Sequence, residues 1–505
     1  MKKNMLILMF FLIGWRTNAQ FIQQGPKLTC TGFSGPPSLG MAVSISADGN
    51  TAIIGGSGDN YSVGLGATGA SWIFTRNGEV WTQVGNKLVG TGDEFANQGF
   101  SVSISADGKT AIVGGPYRNN GGGIGGDWIF TDSAGFWIQQ GNRLVGTGAV
   151  NSPFSAQQGG SVAISGDGNT VIIGGSSDNN NIGAAWVFTR ISGIWTQQGN
   201  KLVDSTAIGN ILQGCSVSLS FDGNTALIGG SGDNNGIGAT WVFTRSGGIW
   251  TQGSKLVGAN FIGIGHQGSS VSISADGNTA IIGGPQDNND TGAIWIFNNS
   301  GGVWAQQGNK LVGTGAIGNA AQGFSVSISY SGDTAIEGTN LDNNLIGSAW
   351  IFTRFGGVWT QLGNKLVGSG AFGAAEQGWP VSISEDGKTA ILGGQNDSLS
   401  YGAAWIFKSS STGIGDLNNK QEYLNLYPNP TSGTFTLSYN YQTPILNSQL
   451  KIYDVLGQQV YTQAIINPNQ TTINVSQLSN GIYFWEMKTN HGIEGQGKIV
   501  IVGNR

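Results

Sequence analysis

Side chains able to act as acid, base, nucleophile or metal ligand are sparse here: two His, two Cys and 28 Asp plus Glu in 505 residues. His266 lies in a connection between repeated units, whereas His491 lies in a C-terminal segment of different character. The two are therefore not expected to share a metal, and no Ser or Asp motif supports His266 as the base of a nucleophilic triad. Cys30 and Cys215 fall in different units. A disulfide needs Cα atoms within about 7 Å, so two free, buried thiols are expected.

The carboxylates fall into two series. Asp48, Asp107, Asp167, Asp222, Asp276 and Asp386 each precede a Gly, in a dipeptide that favours a tight hairpin turn. Their expected work is turn geometry, since a glycosidase needs two carboxylates facing each other about 5 to 9.5 Å apart. The second series is Asp59-Asn60, Asp178-Asn179, Asp233-Asn234, Asp287-Asn288, Asp342-Asn343 and Asp397. Side chains of this kind, gathered on one face, could hydrogen-bond a sugar or a protein loop, or hold calcium weakly. They are the candidate ligand-binding residues, although Asp-Asn is also good turn material that bonds its own backbone. No catalytic constellation emerges, so no enzyme, cofactor or dedicated metal site is expected.

The elements that must position these residues are repeats. Aligned on Ser-x-Ser-x-Asp-Gly, Asp48, Asp107, Asp167, Asp222, Asp276, Ser331 and Asp386 are separated by 59, 60, 55, 54, 55 and 55 residues. Each of the seven copies reads as an alternating strand, a turn, a returning strand, a Gly-Gly and Asn-rich loop, and then a third strand. That third strand carries Trp72, Trp128, Trp186, Trp241, Trp295, Trp350 or Trp405. A fourth strand, led by Trp81, Trp137, Trp195, Trp250, Trp304 or Trp359, follows the first six copies only. The seventh finds its counterpart near the N-terminus, in Phe21-Ile22-Gln23-Gln24-Gly25-Pro26-Lys27-Leu28. Four antiparallel strands per copy, seven copies and a strand borrowed from the opposite terminus predict an all-β, seven-bladed β-propeller. The third-strand Trp residues are expected to pack between blades rather than to stack on sugars.

At these residues the repeats resemble FG-GAP repeats, with Gln98-Gly99, Gln322-Gly323 and Gln377-Gly378 in place of Phe-Gly, and Gly114-Gly115-Pro116 and Gly283-Gly284-Pro285 in place of Gly-Ala-Pro. The resemblance implies a propeller of the kind found in adhesive surface proteins. Its calcium-binding members insert an Asp-rich loop between the first two strands, where this chain has only Ala-Asp-Gly-Asn, so no calcium ligands carry over. After Ser409, three segments resemble the type IX secretion sorting domain: Leu426 to Pro430, Ile452 to Gly457 and Leu478 to Tyr483. That resemblance implies a small β-sandwich that addresses the chain to the type IX secretion machinery and is removed after export.

Composition and the N-terminus agree with an exported protein. Only 10% of residues are charged, the net charge is −5, and 87 Gly are accompanied by 16 Trp and 22 Phe. Such aromatic content excludes disorder, and the absence of a basic footprint argues against nucleic acid. Met1-Lys2-Lys3, an apolar run from Met5 to Trp15 and Thr17-Asn18-Ala19 read as a signal peptide, too short to span a membrane. The expected organisation is signal peptide 1–19, propeller 20–408, linker 409–422 and sorting domain 423–505. The expected product is a monomeric extracellular or surface protein that binds an unknown protein or glycan. A structural matrix component is the alternative, and a carbohydrate-active enzyme the least favoured. Three departures from the repeat stand out: Glu337 in place of an apolar residue, Asp127 before Trp128, and Trp379-Pro380. A buried, unpaired carboxylate is costly, so Glu337 is expected to reach water or a partner.

Overall fold

The computed structural model describes residues 20–410 and 424–502, apart from 93–94, 118–123, 151–154, 205–208, 428, 440–447, 455–456, 466–469 and 490–491. The expected leader, nearly all of the expected linker and His491 lie outside the described residues. The chain divides into two compact units, Gln20–Ser410 and one containing Ser411–Arg505.

The first unit holds seven four-stranded antiparallel sheets. In the fifth, Ser270–Ile273, Thr279–Gly284, Ala293–Ser300 and Val303–Gln306 lie in sequence order from the innermost strand to the outermost. The seventh is assembled from both ends of the unit. Val381–Ile383, Thr389–Gly394 and Ala403–Ser410 are completed by Gln20–Gln23, with Gln20 opposite Ser410 and Gln23 opposite Phe407. The pairing continues past the strand, where Leu28 bridges Ala404. The third strand of this blade runs to Ser410, two residues into the stretch expected as linker.

Innermost strands pack side by side around the ring, and Val381–Ile383 of blade seven lies against Ala42–Ile45 of blade one. The repeated Ser-x-Ser serves this contact. An innermost strand has one edge without a partner strand, and its amides need acceptors. The Ser44, Ser103, Ser218, Ser272 and Ser327 hydroxyls accept the amides of Ile104, Ile164, Ile273, Ile328 and Ile383 in the following blade, at 3.2–3.3 Å.

Between blades, the third-strand Trp residues are fully buried. Burying roughly 150–250 Å² of indole at about 25 cal/mol per Å² is worth on the order of 5 kcal/mol per residue. Six donate their ring N–H to a carbonyl of the chain arriving from the preceding blade, as Trp128 does to Thr91 at 2.8 Å. A Gly lies flat against most of these rings; a Cβ at Gly90 would stand 2.0 Å from Trp128. These indoles are blade cement and present no face to a sugar.

The second unit packs a three-stranded sheet (Leu424–Tyr427, Thr434–Tyr439, Gln470–Asn474) on a four-stranded one built from Ser448–Tyr453, Gln459–Ile465, Gly481–Thr489 and Gly492–Ile501. Phe435, Leu437 and Ile473 from one sheet and Leu450, Ile452, Trp485 and Ile499 from the other form a single core. This is a small β-sandwich.

Candidate functional site

The Asp-Asn loops join the second and third strands, on the face that also carries the blade-to-blade connections. Their carboxylates are buried. Asp59, Asp178, Asp233, Asp287, Asp342 and Asp397 are at most 1% exposed, and each is ion-paired to a Lys of its own blade: Lys87, Lys201, Lys255, Lys310, Lys365 and Lys27. For blade seven that Lys comes from the N-terminal segment, which thus supplies both the missing strand and the missing charge. The second carboxylate oxygen accepts a backbone amide from the preceding inter-blade loop, as from Ser34, Val150, Ile262, Ile317 and Phe372, at 2.6–2.7 Å. Each Asp therefore staples a loop to a strand.

The Asn residues that follow serve the backbone. Asn179 and Asn180, Asn234 and Asn235, Asn288 and Asn289, and Asn343 and Asn344 all have φ between 49° and 59° and ψ between 37° and 58°. Two successive left-handed residues are costly for most side chains, and Asn tolerates that conformation best after Gly. Asn60, Asn179, Asn234 and Asn288 are exposed and Asn343 is half-buried. A ligand approaching these loops meets amides, with the carboxylates already engaged beneath them.

The first Asp series caps its own hairpins. The Asp48 carboxylate accepts from the Ser46 hydroxyl at 2.6 Å and from the Asn50 amide at 2.9 Å, and Asp107, Asp167, Asp222, Asp276 and Asp386 repeat the pattern. These bonds hold Asp48, Asp167, Asp222 and Asp276 below the usual carboxylate range against the opposing effect of burial.

The residue just before this Asp is the position that varies. It is Ala47, Ala106, Gly166, Phe221, Ala275, Tyr330 and Glu385 in blades one to seven. Its backbone is the same in every blade: the amide of each donates to the carbonyl of the next, from Ala47 to Ala106 and onward until Glu385 donates to Ala47, seven bonds of 2.9–3.2 Å. This hydrogen-bonded hoop rims a cavity of about 130 Å³ whose wall includes Ile45, Ile104, Ile164, Leu219, Ile273 and Ile328. Phe221 lies over Gly166, where a Cβ would come within 2.2 Å of the ring, and meets the Tyr330 ring edge-on at 5.6 Å. Glu385 is half-buried, and burial pushes its carboxyl up to about 7. The hoop lies on the face opposite the Asp-Asn loops, and sequence reasoning passed it by. The signal was present as the position of widest size and charge variation inside a turn whose other positions change little.

A second variable position precedes the innermost strand at its other end. It is Met41, Phe100, Gly160, Cys215, Ser269, Phe324 and Trp379, all half-buried. Phe324 and Trp379 meet at 4.9 Å with their rings tilted 55°, and Phe100 meets the exposed Tyr117 at 5.6 Å. Large apolar side chains thus occupy four consecutive blades, from six through seven and one to two, and small ones the remaining three.

Glu337 does not reach water. It is fully buried opposite Trp350 and Val326, and neither oxygen meets a donor in hydrogen-bonding geometry. Burial pushes its carboxyl up to about 8, with the Gly313 and Gly323 amides pulling back, which favours the protonated acid over the charge. Asp127 is likewise buried, and burial drives it well above the usual range against the opposing charge of Arg143. Both thiols are free. Burial pushes Cys30 up to about 12 and raises Cys215 as well, which leaves little nucleophilic thiolate. His266 stands alone among the described loops with burial lowering its pKa and Asp290 opposing. Among the described residues no group of three His, Cys, Asp or Glu could hold a metal ion.

The second unit carries the one decisive likeness. Residues 425–502 match the family model of the secretion system C-terminal sorting domain. The chain is thereby addressed for secretion, to the extracellular space or the cell surface. Among the described residues no helix is long and apolar enough to cross a membrane. No curated protein matches the sequence. Among solved structures the chain is similar to PorZ, an essential bacterial surface component of the type-IX secretion system of Porphyromonas gingivalis. Identity there is 13% and the TM-score 0.45, over 94% of this chain and 61% of that one. The WD40 repeats of RRP9 align at 10% identity and a TM-score of 0.47, over 77% of this chain and all of the other. This chain spans about three fifths of the PorZ structure's length.

Proposed function

We propose that this chain is a surface-displayed or released binding protein, delivered by the type IX secretion machinery, whose seven blades form a scaffold for recognition of an extracellular protein or glycan. The observation that carries this reading is where the repeat is broken. Core Trp residues, Asp-Lys staples and Ser-capped edges recur from blade to blade, while the departures that reach the surface, the large apolar residues and Glu385, lie at the two ends of the innermost strands. Residues 1–19 act as the export leader in this reading. The sorting domain is removed within the stretch between Lys408 and Tyr423, leaving a monomer. The resemblance of the repeats to FG-GAP units of adhesive proteins supports the same reading.

A structural role in a surface layer is the second reading. It is favoured by an exposed apolar residue at the outer hairpin of six blades: Val80, Phe136, Ile194, Ile249, Val303 and Val358, each 63–76% exposed. The test is expression of the chain with and without residues 425–502, followed by surface labelling and a glycan-array screen with and without calcium. Surface display that depends on the tail, with saturable binding of a glycan or protein, is the expected result. Concentration-dependent self-assembly with no ligand would favour the structural role.

A further inference from the structure

The hoop rimming the channel is built from backbone, so its seven side chains are not needed to make it. Ala serves in three blades and Gly in a fourth. The other three residues form one group, because Phe221 and Tyr330 touch across the short Ala275 and Glu385 neighbours Tyr330 on the hoop. Phe221 and Tyr330 are 37% and 48% exposed, which is unusual for rings set among the Ile residues of a channel wall. Glu385 has no basic residue among those lining the cavity. On the same turn the Asp386 carboxylate is already engaged, accepting from the Ser384 hydroxyl and the Lys388 backbone amide.

A site of about 130 Å³ is well below the roughly 300 Å³ at which pockets for whole small-molecule ligands begin. It has room for one side chain or a short amine. A carboxylate supplies the counter-charge for a cation, ring faces attract a cation within about 6 Å, and an aliphatic wall accepts methylene groups. An anion would find no partner here, and a sugar would find too few hydrogen-bonding groups.

We propose that the channel mouth formed by Phe221, Tyr330 and Glu385, walled by Ile273 and Ile328, is a binding site for a primary alkylammonium group. The group is either the end of a lysine side chain on a partner protein or a free amine. This deepens the binding-protein reading and rests on it.

The test is calorimetric titration of the full-length protein at pH 8, where Glu385 is ionised, with n-butylammonium, with n-butanol as the uncharged counterpart, and with a short lysine-containing peptide. Saturable butylammonium binding at least tenfold tighter than butanol, reduced tenfold or more by E385Q and several-fold by Y330A, is the expected result. Tighter binding of the peptide identifies a protein partner as the source, and tighter binding of the free amine a small molecule. Each supports the site. E385Q conserves shape, and its thermal melt and surface display report separately on folding and export. Butylammonium binding no better than butanol, or unchanged in E385Q, would overturn the site. A glycan or protein bound elsewhere would leave the broader reading standing.

Discussion

On one face of the propeller six Asp carboxylates are buried, paired with Lys and bonded to a neighbouring loop. On the other face Glu385 stands at a cavity rim whose lining includes no basic residue. The difference is one of degree of repetition. A carboxylate used to hold the fold recurs in six of the seven blades, and its ligands are all internal. Glu385 occurs once, at a position whose backbone is fixed in all seven blades and whose side chain is free to change. Repetition marks architecture in this molecule, and those departures from it that reach the surface, unlike the buried Glu337 and Asp127, mark the side chains available for recognition.

The largest effect should come from breaking the repeated staple. Asp342→Ala removes the partner of Lys365 and the acceptor for the Ile317 amide. Breaking one side of a buried pair costs about 3 kcal/mol, so the variant should melt several degrees lower. A melt within a degree of the parent would mean that the staple is ornamental and would erase the contrast between the faces.

Glu337 sharpens the comparison from within the core. Its folded pKa of about 8 lies above the ordinary value of 4.5, so the folded state holds a proton that the unfolded state has lost. Its contribution to stability is then greatest below about 4.5, declines as pH rises toward 8 and levels off above it. Glu337→Ile restores the residue type of the other blades and should remove this decline. The gain should be larger at pH 8 than at pH 4 by on the order of a few kcal/mol. Glu385 contributes a weaker slope of the same sign between about 4.5 and 7 and should persist in the variant. A stability difference between parent and variant that does not change with pH would show that Glu337 is not protonated in the fold.

Much of this architecture was legible in the sequence. Asp-Gly turns, alternating strands and a Trp at constant offset required no tertiary information, and the unmatched fourth strand could be counted. Other parts needed coordinates because they depend on neighbours remote in sequence. Nothing local reveals that Asp397 pairs with Lys27, 370 residues away, or that the Asn after each Asp supplies a left-handed backbone. Glu337 misled for the same reason: sequence flagged the cost of burial and pointed to water or a partner, and the fold buries it without exposure, which raises its pKa. The hoop position was visible as an Ala, Gly, Phe, Tyr, Glu alternation, but its meaning rests on seven distant residues meeting at one rim.

The most direct test compares the melting of the full-length protein with that of a triple variant, F221A/Y330A/E385A, which gives the hoop Ala in every blade but the third. If recognition and architecture are separated as described, the variant at pH 4, where the Glu385 slope does not contribute, melts within about 0.5 kcal/mol of the parent, the range of surface substitutions, and at pH 8 it no longer binds butylammonium. A destabilisation as large as that of Asp342→Ala would place the three residues in the framework of the fold and contradict the account.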